Sequence, residues 1–361
     1  MFNLQQKADT EGRQSEAKVW SVLVAQIWTG FSGYCHAPPD VKTVRPTLAY
    51  KCLYTDEPSF QALTPAFAQL LSQLLYSQPD LRPPVLRGLK VLVESNMSIA
   101  SQIDTDIGKP SNSDNTITPE QASQNLVFLK TQAESWFSVF FNVFGSVDRD
   151  NRGMVGDVIS VWAELAEKQD IAKAYRKVLD LFRQSLQQSD NGNTTAMTQD
   201  LLILLIPFLD TQDVATLFST CLAQEVLSHK DNGVQKRGYK ILAKLIESGK
   251  EEGDALQTFR RLDEFSDGLS PAAKKDRFML LSQLIPRIQN ESLHIIPSLI
   301  PEAVLGTKEP SEKARLAAFE LIVAMGQKMS QGGVVKRSMV DGMDEDGAEG
   351  EPYSCIASLR Y

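Results

Sequence analysis

Arg87-Gly88-Leu89-Lys90-Val91-Leu92-Val93 and Arg237-Gly238-Tyr239-Lys240-Ile241-Leu242-Ala243 read almost alike, 150 residues apart. Two further stretches follow the second at spacings of about 40 residues. Phe278, Leu281 and Leu284 echo Tyr239, Leu242 and Leu245, and Phe319, Ile322 and Met325 do so again. A self-similar helical unit of that length is the signature of stacked helix pairs in the HEAT/armadillo size class. The expected fold class is all-α, an α-solenoid of HEAT/armadillo-like helical repeats. Such arrays build extended surfaces that hold partners rather than pockets for chemistry.

Helical periodicity extends outward from these stretches. Leu126, Leu129, Ala133, Phe137, Phe140 and Phe144 recur at steps of three and four, and Trp136, Phe141 and Val143 widen the apolar face. Asp150 is the expected N-cap of a helix to about Lys168, and residues 170–188 carry Ile171, Ala174, Tyr175, Val178, Leu179 and Phe182 inward. Sustained period-two alternation is missing. Ser270-Pro271 reads as an N-cap and first-turn proline, Ser311 starts the last strong helix, Pro286 ends one helix, and Pro297 and Pro301 bracket another. Trp20, Trp28, Trp136 and Trp162 fall at core spacing.

These patterns predict five segments. Residues 1–100 form N-terminal helical repeats, with 43–59 read as an insertion, and 101–120 form a polar, breaker-rich linker. Residues 121–210 complete the first helical module, with a short polar loop at 189–195. Residues 211–330 are HEAT-like repeats, and 331–361 read as an acidic disordered tail.

The composition, 42% hydrophobic and 23% charged, is that of a folded protein. A net charge of −8 argues against coating nucleic acid by bulk charge, although a local basic face is compatible with it. Four scattered cysteines without a CxxC pair read as free thiols in a reducing compartment. The polar N-terminus lacks a signal-peptide core, and the longest apolar run, 201–209, is far short of a membrane span, so no membrane partner is expected.

Candidate chemistry is sparse. Cys35-His36 has no further ligands nearby, Gly332-Gly333 lacks the flanks of a phosphate-binding loop, and Glu164 and Glu167 read as a solvated helix face. No catalytic, cofactor-binding or metal-binding residues are therefore assigned, and the expected protein is not an enzyme. The basic residues carry more. Lys173, Arg176, Lys177 and Arg183 share much of one helix face, and Lys236, Arg237, Lys240 and Lys244 form a similar stripe. Lys274, Lys275 and Arg277 begin another helix. In a solenoid such stripes can merge into a ridge that meets phosphates, and Arg176, Lys177, Arg237, Lys240 and Lys244 are the expected RNA contacts.

The run Gly33-Tyr34-Cys35-His36-Ala37-Pro38-Pro39-Asp40, then Phe67-Ala68-Gln69-Leu70-Leu71 and Pro79-Asp80-Leu81-Arg82, resembles the helical module of the ribosomal RNA processing protein 12 family. Gln124-Asn125-Leu126-Val127-Phe128-Leu129-Lys130, Phe140-Phe141-Asn142-Val143-Phe144 and Asn151-Arg152-Gly153 follow in the same order. The resemblance covers about residues 15 to 210, and the later helices fit a continuing HEAT-like array. It implies a non-enzymatic factor in the nucleus and nucleolus that supports small-subunit pre-rRNA processing, pre-ribosome assembly and nuclear export. Its partners would be pre-ribosomal particle proteins, small-subunit pre-rRNA and nuclear transport factors. Family members are longer, so the chain reads as an internal fragment, with Thr43 to Ser59 interrupting the pattern. The rival reading is a karyopherin-like transport adaptor that binds protein cargo or a small GTPase.

Overall fold

A computed structural model describes residues 2–38, 65–101, 117–188, 192–250, 253–266 and 268–332. The expected insertion at 43–59, most of the 101–120 linker and the tail from 333 onward lie outside the described residues. Among the described residues the chain is all-α, with short 3₁₀ turns between helices and no strand. It divides into two compact units, residues 1–174 and 175–361.

In the first unit, α1 (Phe2–Thr10) and α2 (Gln14–Thr29) pair across a tight turn at Gly12, whose φ of 73° suits glycine. The short α3 (Phe31–Cys35) then lies on α5 (Arg82–Ala100), and α4 (Pro65–Ser77) packs on both α5 and α6 (Pro119–Ser146). The α6 helix is launched by a capping box. Gln121 N–H donates to Thr118 Oγ1, and Thr118 N–H donates to the Gln121 side chain. The α7 helix (Arg152–Leu165) closes on α5 and α6. Trp136 and Phe140 of α6 meet Trp162 of α7, all with ring centroids within 5.8 Å of one another. Trp162 is fully buried and donates its indole N–H to the Leu89 carbonyl of α5 at 3.2 Å. One side chain thus ties three helices, apolar body in the core and polar edge satisfied.

The α8 helix spans Lys168–Gln187. In the second unit its Tyr175 hydroxyl donates to the Asp213 carbonyl, and Arg183 donates to the Thr220 hydroxyl, both on α10 (Thr211–Cys221). The inner row runs α9 (Gly192–Leu205), α12 (Asn232–Glu247), α14 (Lys274–Leu284) and α16 (Glu312–Gln331), each packed on the next. Around it, α10 and the four-residue α11 (Gln224–Leu227) pack on α12, α13 (Ala255–Asp263) on α14, and α15 (Ile296–Gly306) on α16. This is the helix-pair stacking that the 40-residue period predicts, and the fold class of a HEAT-type array.

Two hydrogen-bonding devices recur down the row. Lys250 donates to the carbonyls of Pro207 and Leu209, Arg287 to Ile246, and Lys328 to Pro286. A cation from each of three successive repeats thus satisfies carbonyls at the C-terminal end of an inner helix one repeat back, where the helix leaves acceptors unfilled. At the other end, buried Gln199 reaches the Val234 carbonyl, and buried Gln235 reaches the Gly268 carbonyl and the Ser270 N–H.

The near-identical motifs of α5 and α12 share a steric cause. A Cβ on Gly238 would stand 2.5 Å from Val226 Cγ1 of α11, and one on Gly88 would collide with the Phe31 ring of α3. In both places a very short helix lies across a long one at a spot only glycine allows. The arginines before them differ, since Arg87 is exposed and Arg237 buried.

Several local expectations are corrected. Phe319 is 52% exposed, whereas Tyr239 and Phe278 are buried; the inward positions of α16 include Ala314, Ala317, Ala318, Leu321 and Met325, and Phe319 falls outside that face. Asp150 sits in a 3₁₀ turn (Arg149–Asn151), and α7 begins after Asn151 without a side-chain cap. Ser270 is buried and bonded to Gln235, so α14 begins only at Lys274. Pro301 lies inside α15; it and Pro297 are exposed, so the lost backbone bond falls on the solvent side. Residues 192–195 belong to α9, and 119–120 to α6. Trp20 and Trp28 are only half-buried.

Candidate nucleic-acid interface

The α8 stripe begins at Lys173, which is spent on ion pairs with Glu134 at 3.5 Å and Asp170 at 3.7 Å. Arg176 and Lys177 lie on the solvent face, opposite the buried Tyr175, Val178 and Phe182. Neither carries an ion pair among the described residues. Arg176 does sense Asp213, whose carboxyl burial pushes up and the guanidinium pulls down. Arg183 is held by Thr220.

The α12 stripe is arranged differently. Val234, Gly238, Ile241, Leu242 and Leu245 face the core, which leaves Lys236, Lys240 and Lys244 on the outer side of the helix, all exposed. Their four-residue spacing advances about 6 Å per step along the axis. None carries an ion pair among the described residues. The Asp276 carboxylate offsets part of the self-repulsion at Lys236 and Lys240, and exposed ammonium groups in a row can meet anions.

Arg237 belongs to the core side of this helix. It is 9% exposed, and its guanidinium forks onto Asp200 at 2.6 and 3.2 Å while Nη1 donates to the Gly233 carbonyl at 3.0 Å. That bidentate geometry ties α12 to α9. Arg277 repeats the arrangement on α14, forking onto Glu302 at 2.6 and 3.0 Å and donating to the Leu262 carbonyl. Lys274 is paired with Glu309.

Asp276 was not singled out by the sequence. It is 4% exposed, and Oδ2 has no hydrogen-bond partner. Burial raises its pKa, opposed by Lys275, Lys236 and Lys240. The carboxylate therefore lies where α14 meets the α12 lysine row, and its spacing from them in sequence gave no hint of that.

The two basic stripes lie on helices with different neighbours. The α8 residues sit on the helix seated against α10, whereas Lys240 and Lys244 belong to the inner row. Near the end of that row is a cleft of about 360 Å³, with Ile203, Ile206 and Pro207 on one side and Lys244, Glu247, Ser248 and Lys250 on the other. Elsewhere, Cys35 is buried against Gly88, and burial pushes its thiol up to about 12, which suits packing rather than nucleophilic attack. No group of three or more metal-ligating side chains occurs among the described residues, and none of the described helices is long and apolar enough to cross a membrane.

Fold and surface together define a HEAT-type helical-repeat protein whose α12 exposes a line of three lysines. Residues 1–147 match the family described as ribosomal RNA-processing protein 12, HEAT repeats. A putative ribosomal RNA-processing protein 12 of Schizosaccharomyces pombe is 31% identical over 85% of this chain and 26% of its own length. Ribosomal RNA-processing protein 12 of Saccharomyces cerevisiae is 27% identical over 95% of this chain and 27% of its own length. The RRP12-like protein of Homo sapiens is 26% identical over 87% and 22% respectively. The chain is thus similar along most of its length to proteins named ribosomal RNA-processing protein 12, and it spans about a quarter of the length of these relatives.

Proposed function

We propose that this chain is a non-enzymatic scaffold of ribosome biogenesis, acting in the nucleus and nucleolus. It holds small-subunit pre-rRNA and pre-ribosomal proteins during processing, assembly and export. The observation that carries this reading is the unpaired row Lys236, Lys240 and Lys244 on a helical-repeat scaffold whose relatives are named for ribosomal RNA processing. The mechanism is positioning: dispersed cations meet phosphates, and the stacked helices fix the spacing between them. Lys240 and Lys244 supply the inner contacts, and Arg176 and Lys177 supply a separate outer set. Arg237 acts through its tie to Asp200, holding α12 in place rather than reaching phosphate.

Titration of single-stranded RNA against the full chain at several salt concentrations tests this. Each of Lys240→Gln and Lys244→Gln is expected to weaken binding across all sequences and to reduce the salt slope by about 0.7. An unchanged slope in the double variant sinks the RNA reading. Affinity purification with and without nuclease addresses the transport-adaptor alternative: recovery of transport factors that survives nuclease, without small-subunit precursor RNA, favours the adaptor.

A further inference from the structure

The geometry points to a nucleobase-binding cleft at the C-terminal end of the α12 lysine row, selective for bases that carry an exocyclic amino group. This inference rests on the RNA reading above and extends it from the backbone to the base.

Three observations converge. First, Lys244 is both the last member of the row and a wall of the cleft formed with the end of α9. Steps of about 6 Å along a helix are comparable to the separation of successive phosphates on one nucleic-acid strand. A strand that places phosphates on Lys236, Lys240 and Lys244 therefore delivers its next nucleotide to the cleft. Secondly, the far side is apolar, made by Ile203, Ile206 and Pro207, and the volume of about 360 Å³ exceeds that of a nucleobase. Splayed-out bases of single strands are stacked on a side-chain face and read along their polar edges. Among the described residues no aromatic ring or guanidinium lines this cleft, and the face offered to a base here is the aliphatic one. Pro207 is fixed there because its carbonyl accepts from Lys250 at 3.0 Å.

Thirdly, the polar rim favours one kind of base edge. Ser248 donates its hydroxyl proton to the Leu245 carbonyl at 2.6 Å and accepts from the Lys250 N–H at 3.4 Å, so its oxygen has one lone pair left to accept from a ligand. Glu247 is exposed and, when ionised, only accepts. The Lys250 ammonium, also on the rim, spends two of its three N–H bonds on the Pro207 and Leu209 carbonyls. Two acceptors select the amino groups of cytosine, adenine and guanine, as carboxylates do toward the cytosine amine. Uracil has no amino group and presents two carbonyl oxygens to the same rim.

Fluorescence anisotropy on the full chain tests the cleft, using labelled oligo(C), oligo(A), oligo(U) and an abasic phosphodiester backbone. Ile203→Trp fills the cleft and is expected to weaken oligo(C) and oligo(A) about tenfold, the order of one base contact. The abasic probe and the salt slope should not change. Glu247→Gln, on the exposed rim, should erase most of the preference for oligo(C) over oligo(U), and it decides the matter if Ile203→Trp does not fold. Equal losses on the abasic and base-bearing probes, or an unaltered base preference in Glu247→Gln, would overturn the proposal. So would an Ile203→Trp variant that keeps RNA affinity but no longer captures a Glu-rich peptide bearing one leucine, since the cleft would then be a protein-docking site. Failure of the underlying RNA reading looks different: Lys240→Gln and Lys244→Gln leave every probe unaffected.

Discussion

Asn125 of α6 and Asn96 of α5 share a buried hydrogen bond of 3.0 Å, and the same Asn125 amide donates to the Pro38 carbonyl at 3.0 Å. Asn96 in turn donates to the Leu92 carbonyl, and Ser95 accepts from the Ala37 N–H. Ala37 has a φ of 47°, so this network holds a backbone turn that an alanine rarely adopts unaided. Two stretches of the family resemblance, the one around Ala37-Pro38 and the one around Asn125, are thus physically joined.

Asn125→Leu should lower the stability of the first unit by about 1–3 kcal/mol, because Asn96 and the Pro38 carbonyl lose their partner in a buried place. Chemical denaturation followed by tryptophan fluorescence reports on this unit through Trp136 and Trp162. A change within a few tenths of a kcal/mol would mean that the network is not holding the turn.

Gly238→Ala should destabilise the chain even though alanine is the better helix former by about 1 kcal/mol. The added methyl meets Val226, and overpacking of this kind costs about 1–3 kcal/mol. Val226→Ala should recover part of the loss in the double variant. Gly326→Ala is the control: nothing stands within 4 Å of its Cβ position, so it should raise the melting temperature.

Asp200→Asn should destabilise by about 2–4 kcal/mol, since it leaves the largely buried Arg237 guanidinium without its counter-charge. Asp200 is partly exposed, and solvent screening keeps the value toward the lower end. A double-mutant cycle with Arg237→Met separates the coupling from the single losses. Below the melting transition, Asp200→Asn should leave the salt slope of RNA binding intact, unlike Lys240→Gln.

Asp276→Asn should stabilise the protein at neutral pH. Burial holds the folded-state pKa above the ordinary carboxylate value, despite the pull of Lys275, Lys236 and Lys240. A raised acid contributes stability below its unfolded pKa, and that contribution is lost as pH rises through the folded value. The advantage of the variant should therefore be present near pH 7 and shrink as pH falls toward about 4, the unfolded aspartate range. Melting temperatures across that window, with no convergence of the two proteins at low pH, would contradict the assignment.

Repeat length, helix content and the inward faces were determined by the sequence alone. Apolar residues at steps of three and four leave a helix only one way to bury itself, and a 40-residue recurrence of such helices leaves stacking as the way to cover them. Phe319 shows the limit of that logic: periodicity carries phase poorly across a loop, and an expected core residue points outward while Ala317 and Ala318 beside it are buried. Only the tertiary structure decided which cations are free. Arg237 and Lys240 read as one stripe, yet Arg237 is spent on Asp200, 37 residues away, and Lys240 stays exposed. The Lys250, Arg287 and Lys328 contacts to carbonyls of the preceding repeat were equally hidden. A charge discloses its type in the sequence, but whether it is paired depends on which backbone and side chains the packing brings within about 3 Å.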